Sequence, residues 1–190
     1  VGNKIYVHEP TQELVNYCKS ELVLNNPEYT KKLTMGLWLG NTPQNFALYE
    51  KVGNDLVLPF GCIFDIYRRY YKEYPFKSRI KPVESVSYQS GINPYAYQEK
   101  ALQEALRARN GVLVMPCGAG KTNCGLEIIA RLGVPALWLT HTQDLLNQSM
   151  NRAKSVLGIN SASYGTITGG KVNIGSGITF ATVQTMSGLD

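Results

Sequence analysis

One short segment constrains the fold of this 190-residue chain more than any other feature. Residues 115–122 read Met-Pro-Cys-Gly-Ala-Gly-Lys-Thr. Before them, residues 111–115 form a short apolar run, as expected for a strand buried on both faces. After them, residues 121–132 have the apolar period of a helix. A glycine-rich turn between a buried strand and a helix predicts an α/β domain built on a parallel sheet.

Such a turn can bind phosphate, because backbone N–H groups and the positive end of the helix dipole, roughly half an elementary charge, converge there. Gly118 and Gly120 permit the backbone angles and the close approach that the loop needs. Lys121 can reach the β and γ phosphates of ATP, and the Thr122 hydroxyl can ligate Mg²⁺, so both are the candidate catalytic residues. The alternative is a glycine-rich turn that Lys-Thr follows by chance.

The second half of the chain repeats the alternation of strand and helix. Further buried strands are predicted at residues 135–140 and 177–181, a helix at residues 143–156, and another helix start at Thr182. This order implies parallel strands, right-handed crossovers and helices on the faces of the sheet.

The first half predicts a small α+β domain. Residues 4–8 alternate like an edge strand, Thr11 can cap a helix over residues 11–20, and residues 47–59 resemble two strands about a Gly-Asn turn. Residues 62–71 have a helical apolar face. Prolines, serines and a glycine interrupt every period between Tyr74 and Asn93, so we place the domains at residues 1–85 and 86–190.

Composition and charge bear on the core, the partners and the cellular compartment expected for this chain. A hydrophobic content of 44% can supply a core, and the net charge of +5 suits a polyanionic partner without requiring one. The cysteines lie far apart without a CxxC pair, which indicates a reducing cytoplasm and neither a zinc site nor a disulfide framework. No apolar stretch approaches the roughly 18 residues of a membrane helix, so we expect no membrane partner.

The loop departs from the common GxxxxGK[ST] pattern at Met115, where the first glycine is expected, which argues against nucleotide kinases and small GTPases. Pro-x-Gly-x-Gly-Lys-Thr resembles motif I of superfamily 2 helicases of the DEAD/DEAH type. Residues 93–102 resemble the Tyr-Gln-x-x-Ala segment of the phage and bacterial branch that contains XPB-like helicases and type III restriction enzyme res subunits. The resemblance implies a RecA-like domain and a Gln98 that reads the adenine edge. The predicted nucleotide-binding residues are Gln98, Pro116, Cys117, Gly118, Ala119, Gly120, Lys121, Thr122 and Asn123.

Three later segments extend the resemblance. Residues 139–148 are similar to motif Ia, residues 164–170 to motif Ib and residues 178–186 to motif Ic, which in this superfamily meet the nucleic-acid backbone. The resemblance implies contacts to single- or double-stranded DNA from Thr142, Gln148, Gly169, Thr182 and Gln184. Taken singly, Thr142 can be a helix cap and Thr182 the end of a buried strand.

Hydrolysis in this superfamily uses the Asp-Glu pair of motif II, and the chain has none. The acids after Lys121 are Glu127, Asp144 and Asp190. The arginine finger and the second RecA-like domain are also missing. We therefore expect an N-terminal fragment of an ATP-dependent DNA helicase or translocase that does not hydrolyse ATP alone. The alternatives are the motor subunit of a type I or III restriction enzyme and a non-hydrolysing nucleotide-binding regulatory module.

A basic, tyrosine-rich segment, residues 67–74, precedes the predicted domain boundary, and Lys77, Arg79 and Lys81 continue it. Such a segment can grip phosphates and stack bases. The alternative is a solvated helix face followed by a linker.

Overall fold

The computed structural model describes residues 4–78 and 82–188, and the chain divides into two compact units, Val1–Ile80 and Lys81–Asp190. This division falls within the segment where the sequence places the domain boundary. The domain limits predicted from the sequence, residue 85 for the first domain and residue 86 for the second, stay a prediction. Arg79, Lys81 and Asp190 lie outside the described residues.

The first unit combines small antiparallel sheets with helices. Its strands are β1 (Lys4–His8), β2 (Val23–Asn25), β3 (Asn45–Ala47), β4 (Glu50–Val52) and β5 (Asp55–Pro59). Its helices are α1 (Gln12–Glu21), α2 (Pro27–Thr34) and α3 (Ile63–Tyr70). The strands pair in the orders β1-β5-β4 and β2-β3. The α+β character and the edge position of β1 are thereby confirmed.

The core of the first unit forms around β5, the central strand of its larger sheet. Leu56 and Leu58 of β5 are almost fully buried and pack with Leu14 of α1 and Ile66 of α3. The predicted cap is confirmed, since Oγ1 of Thr11 accepts a hydrogen bond from the Leu14 backbone N–H at 3.3 Å. Burial of apolar side chains against one central strand therefore holds α1 and α3 in place.

The second unit is the predicted α/β domain. Its strands are β6 (Ala136–Thr140), β7 (Tyr164–Thr168), β8 (Lys171–Asn173) and β9 (Ile178–Thr182). Its helices are α4 (Ala96–Ala108), α5 (Lys121–Leu132), α6 (Gln143–Val156) and α7 (Val183–Ser187). The sheet order is β6-β9-β7-β8, with β6 and β7 parallel to β9 and β8 antiparallel to β7.

Strand β9 is the centre of the second core. All its residues are buried, and Ile178 and Phe180 pack with Leu126 of α5 and with Leu146 of α6. The segment before α4 also belongs to this unit. The backbone N–H of Val86 donates to the carbonyl of Gly133, directly after α5, and the backbone N–H of Gly91 donates to the carbonyl of Val156, at the end of α6. These hydrogen bonds tie residues 86–91 to the ends of α5 and α6.

The predicted strand at residues 111–115 is wrong. The segment pairs with no strand in the described part of the chain, and the Val112 and Val114 side chains are 90% and 88% exposed. An apolar segment becomes a strand of a sheet only where a neighbouring strand supplies hydrogen bonds and other elements cover its faces. The described residues provide neither, although the sequence pattern is that of a buried strand.

Candidate nucleotide-binding site

The loop of residues 115–120 is shaped by two glycines in the left-handed conformation. Gly118 has φ +78° and Gly120 has φ +80°, angles that residues with a Cβ atom rarely adopt. At Gly120 an added Cβ would also lie 2.6 Å from Nε2 of Gln98. Helix α5 begins directly after Gly120, so its first backbone N–H groups, which have no partner within the helix, lie at this turn.

The Lys121 side chain folds back across the loop. Its Nζ donates to the carbonyl oxygens of Met115 at 3.2 Å and of Pro116 at 2.9 Å. The side chain is exposed, and the next residue, Thr122, is half-buried in the first turn of α5. A cation, a hydroxyl and a helix N-terminus therefore meet at one turn, which is an environment suited to an anion.

Gln98 supports the loop from α4. It is 5% exposed and its Nε2 donates to the carbonyl of Ala119 at 2.9 Å, while its Oε1 accepts from the Tyr95 backbone N–H at 2.9 Å. Both ends of the amide thus have partners inside the protein. The adenine contact implied by resemblance stays a prediction, and the observed contact is with the phosphate loop itself.

A cavity of about 580 Å³ lies between α4 and the loop. Tyr97 and Ala101 line it from α4, and residues 113–119 line the other side. The Tyr97 ring is stacked with that of Tyr95, with 5.9 Å between the ring centroids. Sequence reasoning did not single out Tyr97, although its place next to Gln98 in the resembling segment was an available signal.

A charged network joins α4 to α5 behind the loop. Arg131 of α5 donates to both carboxylate oxygens of Glu99 at 2.7 Å and to Glu127 at 2.8 Å. Glu127 is buried and also accepts a hydrogen bond from Ser90 at 2.5 Å. The hydrogen bonds from Arg131 hold the pKa of Glu99 below its usual range and raise that of Arg131. Glu127 therefore holds structure together by accepting hydrogen bonds from Arg131 and Ser90. In the sequence, the only sign of this role is that Glu127 precedes Arg131 by four residues, which is one helical turn.

Asn123, a predicted nucleotide-binding residue, contacts helix α6 in this structure. Its Oδ1 accepts a hydrogen bond from Nε of Arg152 at 2.8 Å. The side chain thus links the first turn of α5 to α6, and contact with nucleotide stays a prediction. Pro116, Cys117 and Gly118 are exposed on the loop, and Ala119 is buried.

The predicted nucleic-acid residues cluster mainly where the parallel strands end. Thr142 caps α6 just after β6, and Thr182 ends β9 and caps α7, its Oγ1 accepting from the Thr185 backbone N–H at 3.2 Å. Thr140 of β6 is the register partner of Thr182, and Gly169 follows β7, which is parallel to β9. The carboxyl ends of parallel strands share one edge of a sheet, so these positions lie along that edge.

The same edge receives the start of α5, because α5 ends at the turn that begins β6 and must run antiparallel to that strand. Gln184 is exposed in the first turn of α7 at this edge. Gln148 is exposed in the middle of α6, farther from the strand ends than Thr142. The helix-cap and strand-end interpretations of Thr142 and Thr182 are both correct descriptions of their structure.

Comparison with known families decides the kinship of the chain. The family described as "Type III restriction enzyme, res subunit" matches residues 91–190, which is more than half of the chain. The chain belongs to this family. The resemblance to superfamily 2 helicases is thereby confirmed, and the site just described is that of a res subunit family member.

Proteins with similar sequences include ones named as helicases and translocases. The chain is 27% identical over 156 residues to a putative ATP-dependent RNA helicase of Acanthamoeba polyphaga mimivirus. The aligned part is 75% of this chain and 27% of the relative. The chain is 30% identical over 118 residues to the DNA 3'-5' translocase XPB2 of Sulfurisphaera tokodaii, covering 60% and 26%. The chain thus spans about a quarter of the length of these relatives.

Solved structures confirm the fold. A crystal structure of the UvsW helicase from bacteriophage T4 superposes with a TM-score of 0.61 at 18% identity, covering 97% of this res family chain and 74% of that one. The mixed α/β architecture with a RecA-like parallel sheet is therefore shown. Within the described residues, no helix is both long enough and apolar enough to cross a membrane.

Proposed function

We propose that this chain binds ATP with Mg²⁺ at residues 115–122 and forms the front part of an ATP-driven DNA helicase or translocase. The observation on which the proposal depends is the geometry of the loop. Two left-handed glycines, the Lys121 ammonium and the N-terminus of α5 converge on one turn. Kinship to helicase-type motors supports a triphosphate as the anion.

The residues present fit a magnesium nucleotide. Mg²⁺ keeps several waters and is commonly held through phosphate oxygens with few protein ligands. The Thr122 hydroxyl can supply one ligand, and no group of acidic, histidine or cysteine side chains suited to a metal occurs among residues 4–78 and 82–188. In this arrangement Lys121 binds the phosphates, Gly118 and Gly120 let the backbone approach them, and bound Mg²⁺ neutralises phosphate charge.

DNA would contact the edge where the parallel strands end. Thr142, Gly169, Thr182 and Gln184 are distributed along that edge, and Gln148 on α6 extends the set. Hydroxyls, backbone N–H groups and amides contact phosphate and sugar rather than base edges, so this interface would bind DNA without reading its sequence. The proposed partner is single- or double-stranded DNA, with a second RecA-like domain completing the motor.

We expect binding without turnover from residues 1–190 alone. Of the acids after Lys121 that the structure describes, Glu127 is buried against Arg131 and Ser90, and Asp144 lies in the first turn of α6. Neither is the adjacent carboxylate pair that hydrolysis in this superfamily uses. The family match favours a restriction-enzyme motor as the second candidate, and a nuclease domain in the parent protein would distinguish the two.

Nucleotide binding tests the proposal directly. We expect a fluorescent ATP analogue to bind the chain in a Mg²⁺-dependent way, measured by anisotropy. Lys121→Ala should weaken binding roughly 10- to 100-fold, because hydrogen bonds to charged groups contribute about 1.5–3 kcal/mol. Thr122→Ala should mainly reduce the dependence on Mg²⁺.

The matched control is Lys154→Ala, which removes a lysine from the last turn of α6. Its affinity for the nucleotide should equal that of the unmodified chain. Binding that survives Lys121→Ala, or that falls equally in both variants, would contradict the proposal.

A further inference from the structure

Helix α3 of the first unit separates its aromatic residues into two groups. Tyr70 is buried in the core, its ring lies edge-on to Tyr17 at 6.3 Å and to Tyr74 at 6.4 Å, and the Tyr74 hydroxyl accepts a hydrogen bond from the Thr11 backbone N–H at 2.7 Å. Arg69 lies over the Tyr17 ring at 4.8 Å. This inner group has a structural role, since it joins α3 to α1.

The outer group, formed by Tyr67, Tyr71 and Phe76, lies outside the core cluster of the first unit. Tyr67, Tyr71 and Phe76 are 52%, 50% and 39% exposed, yet their rings form a continuous cluster. The ring centroids of Tyr67 and Tyr71 are 5.8 Å apart at an angle of 32°, and those of Tyr67 and Phe76 are 5.1 Å apart. Half-exposed aromatic rings that touch one another leave apolar faces in water, which is the property of a contact surface rather than of a core.

Cations accompany this cluster. Nζ of Lys72 lies 5.8 Å from the centre of the Tyr71 ring, and Arg68 precedes Tyr71 by one helical turn on the same face of α3. Lys77 follows Phe76 and is exposed. None of these cations has an ion pair among the described residues. Residues 63–78 hold four basic and two acidic side chains, so the surface is net positive.

We propose that the α3 surface, formed by Tyr67, Tyr71, Phe76, Arg68, Lys72 and Lys77, is a second nucleic-acid site that binds single strands. Aromatic rings can stack only on bases that are free of their own neighbours, and the cations beside them match the phosphates of the same strand. A duplex offers its phosphates but keeps its bases stacked, so it would use only the cations. The α3 surface belongs to the first unit, whereas the nucleotide loop and the strand-end edge belong to the second.

Anisotropy of a fluorescein-labelled oligo(dT) with the full 190-residue chain tests the inference. Tyr67→Ala/Tyr71→Ala should weaken binding by about tenfold or more, since each stacked base contributes about 1–3 kcal/mol. Arg68→Ala/Lys72→Ala should weaken it too and reduce the slope of log K against log salt by about 1.4, at about 0.7 per phosphate contact. A duplex of equal length should be bound more weakly and respond only to the charge variant.

Matched variants separate stacking from loss of structure. Tyr67→Phe/Tyr71→Phe keeps the rings and should retain affinity. Trp38→Ala removes another exposed aromatic of the same unit and should have no effect. With a 5-iodouracil oligonucleotide, ultraviolet crosslinks should map to Tyr67 or Tyr71. Unchanged affinity of the alanine pair, an equal loss in Trp38→Ala, or crosslinks confined to residues 82–188 would overturn the inference.

Binding of the magnesium nucleotide distinguishes this inference from the proposed function. The tyrosine variants should bind the ATP analogue like the unmodified chain, whereas the loss of nucleotide binding in Lys121→Ala bears only on the proposed function. Failure of one measurement therefore leaves the other proposal standing.

Discussion

At the scale of single residues, Gly120 and Gln98 constrain each other. The left-handed angle of Gly120 and the 2.6 Å distance from a built Cβ to Nε2 of Gln98 both exclude a side chain at that position. The space that glycine leaves is what allows Gln98 to reach the carbonyl of Ala119. The buried amide of Gln98 thus fixes the loop to α4.

Gln98→Ala tests whether this amide acts on the loop or on the base. Because both ends of the amide are bonded within the protein, we expect the variant to weaken ATP and GTP analogues by the same factor, roughly three- to tenfold for a lost net hydrogen bond. Competition anisotropy with both nucleotides provides the measurement. Adenine reading, which the family resemblance implies, predicts instead that only ATP binding falls.

At the scale of elements, α4 and α5 are joined by one cation between two carboxylates. Arg131 contacts Glu99 on α4 and Glu127 on its own helix, and Glu127 is buried. If Arg131 is removed, Glu127 stays buried without its cationic partner, and the free-energy cost of its desolvation is no longer offset. The network should therefore contribute more to stability than two exposed ion pairs would.

Arg131→Met should lower the free energy of unfolding of the second unit by about 1–3 kcal/mol at neutral pH, as followed by urea titration of Trp138 fluorescence. The pKa of Glu99 is lowered in the folded state, so its contribution is present above the unfolded value of 4.5 and lost as the pH falls further. The difference between the two proteins should therefore shrink below about pH 4.5.

Arg107→Met is the matched control for this change. Arg107 pairs with Glu104 on an exposed face of α4, where solvent screens the pair and its loss should hardly change stability. An equal effect of both substitutions would show that burial of Glu127 is unimportant.

The elements also show what the sequence could predict. Helices α5 and α6 begin and end at the predicted residues. Thr142 caps the start of α6, and Gly120 and Gly133 stand at the two ends of α5. The hairpin β7–β8 and the β2, α2 and β3 segments were not predicted, since their short polar sequences have little period. Of the site, the loop could be predicted from Gly118, Gly120 and Lys121. The Arg131 network could not, because Glu99 comes near it only through tertiary packing.

At the scale of the whole molecule, β6 is an edge strand of its sheet, and residues 111–115 form no strand. Strand β6 pairs with β9 on one side, and no described strand pairs on its other side. Residues 111–115 have the composition of a doubly buried strand and yet expose Val112 and Val114. The chain spans about a quarter of the length of these relatives, and any strand added beside this segment would bury both side chains.

Val112→Thr/Val114→Thr distinguishes a strand that awaits partners from a true loop. In the 190-residue chain both side chains are exposed, so the free energy of unfolding should change by less than about 0.5 kcal/mol. In a longer protein in which a further strand covers these residues, the same pair should cost about 2 kcal/mol or more, because each change would bury a hydroxyl. Val156→Thr, at a buried position of α6, should cost about 1–2 kcal/mol in both proteins. If the short and the longer protein tolerate the double change equally, no strand covers this segment, and the apolar run serves another surface.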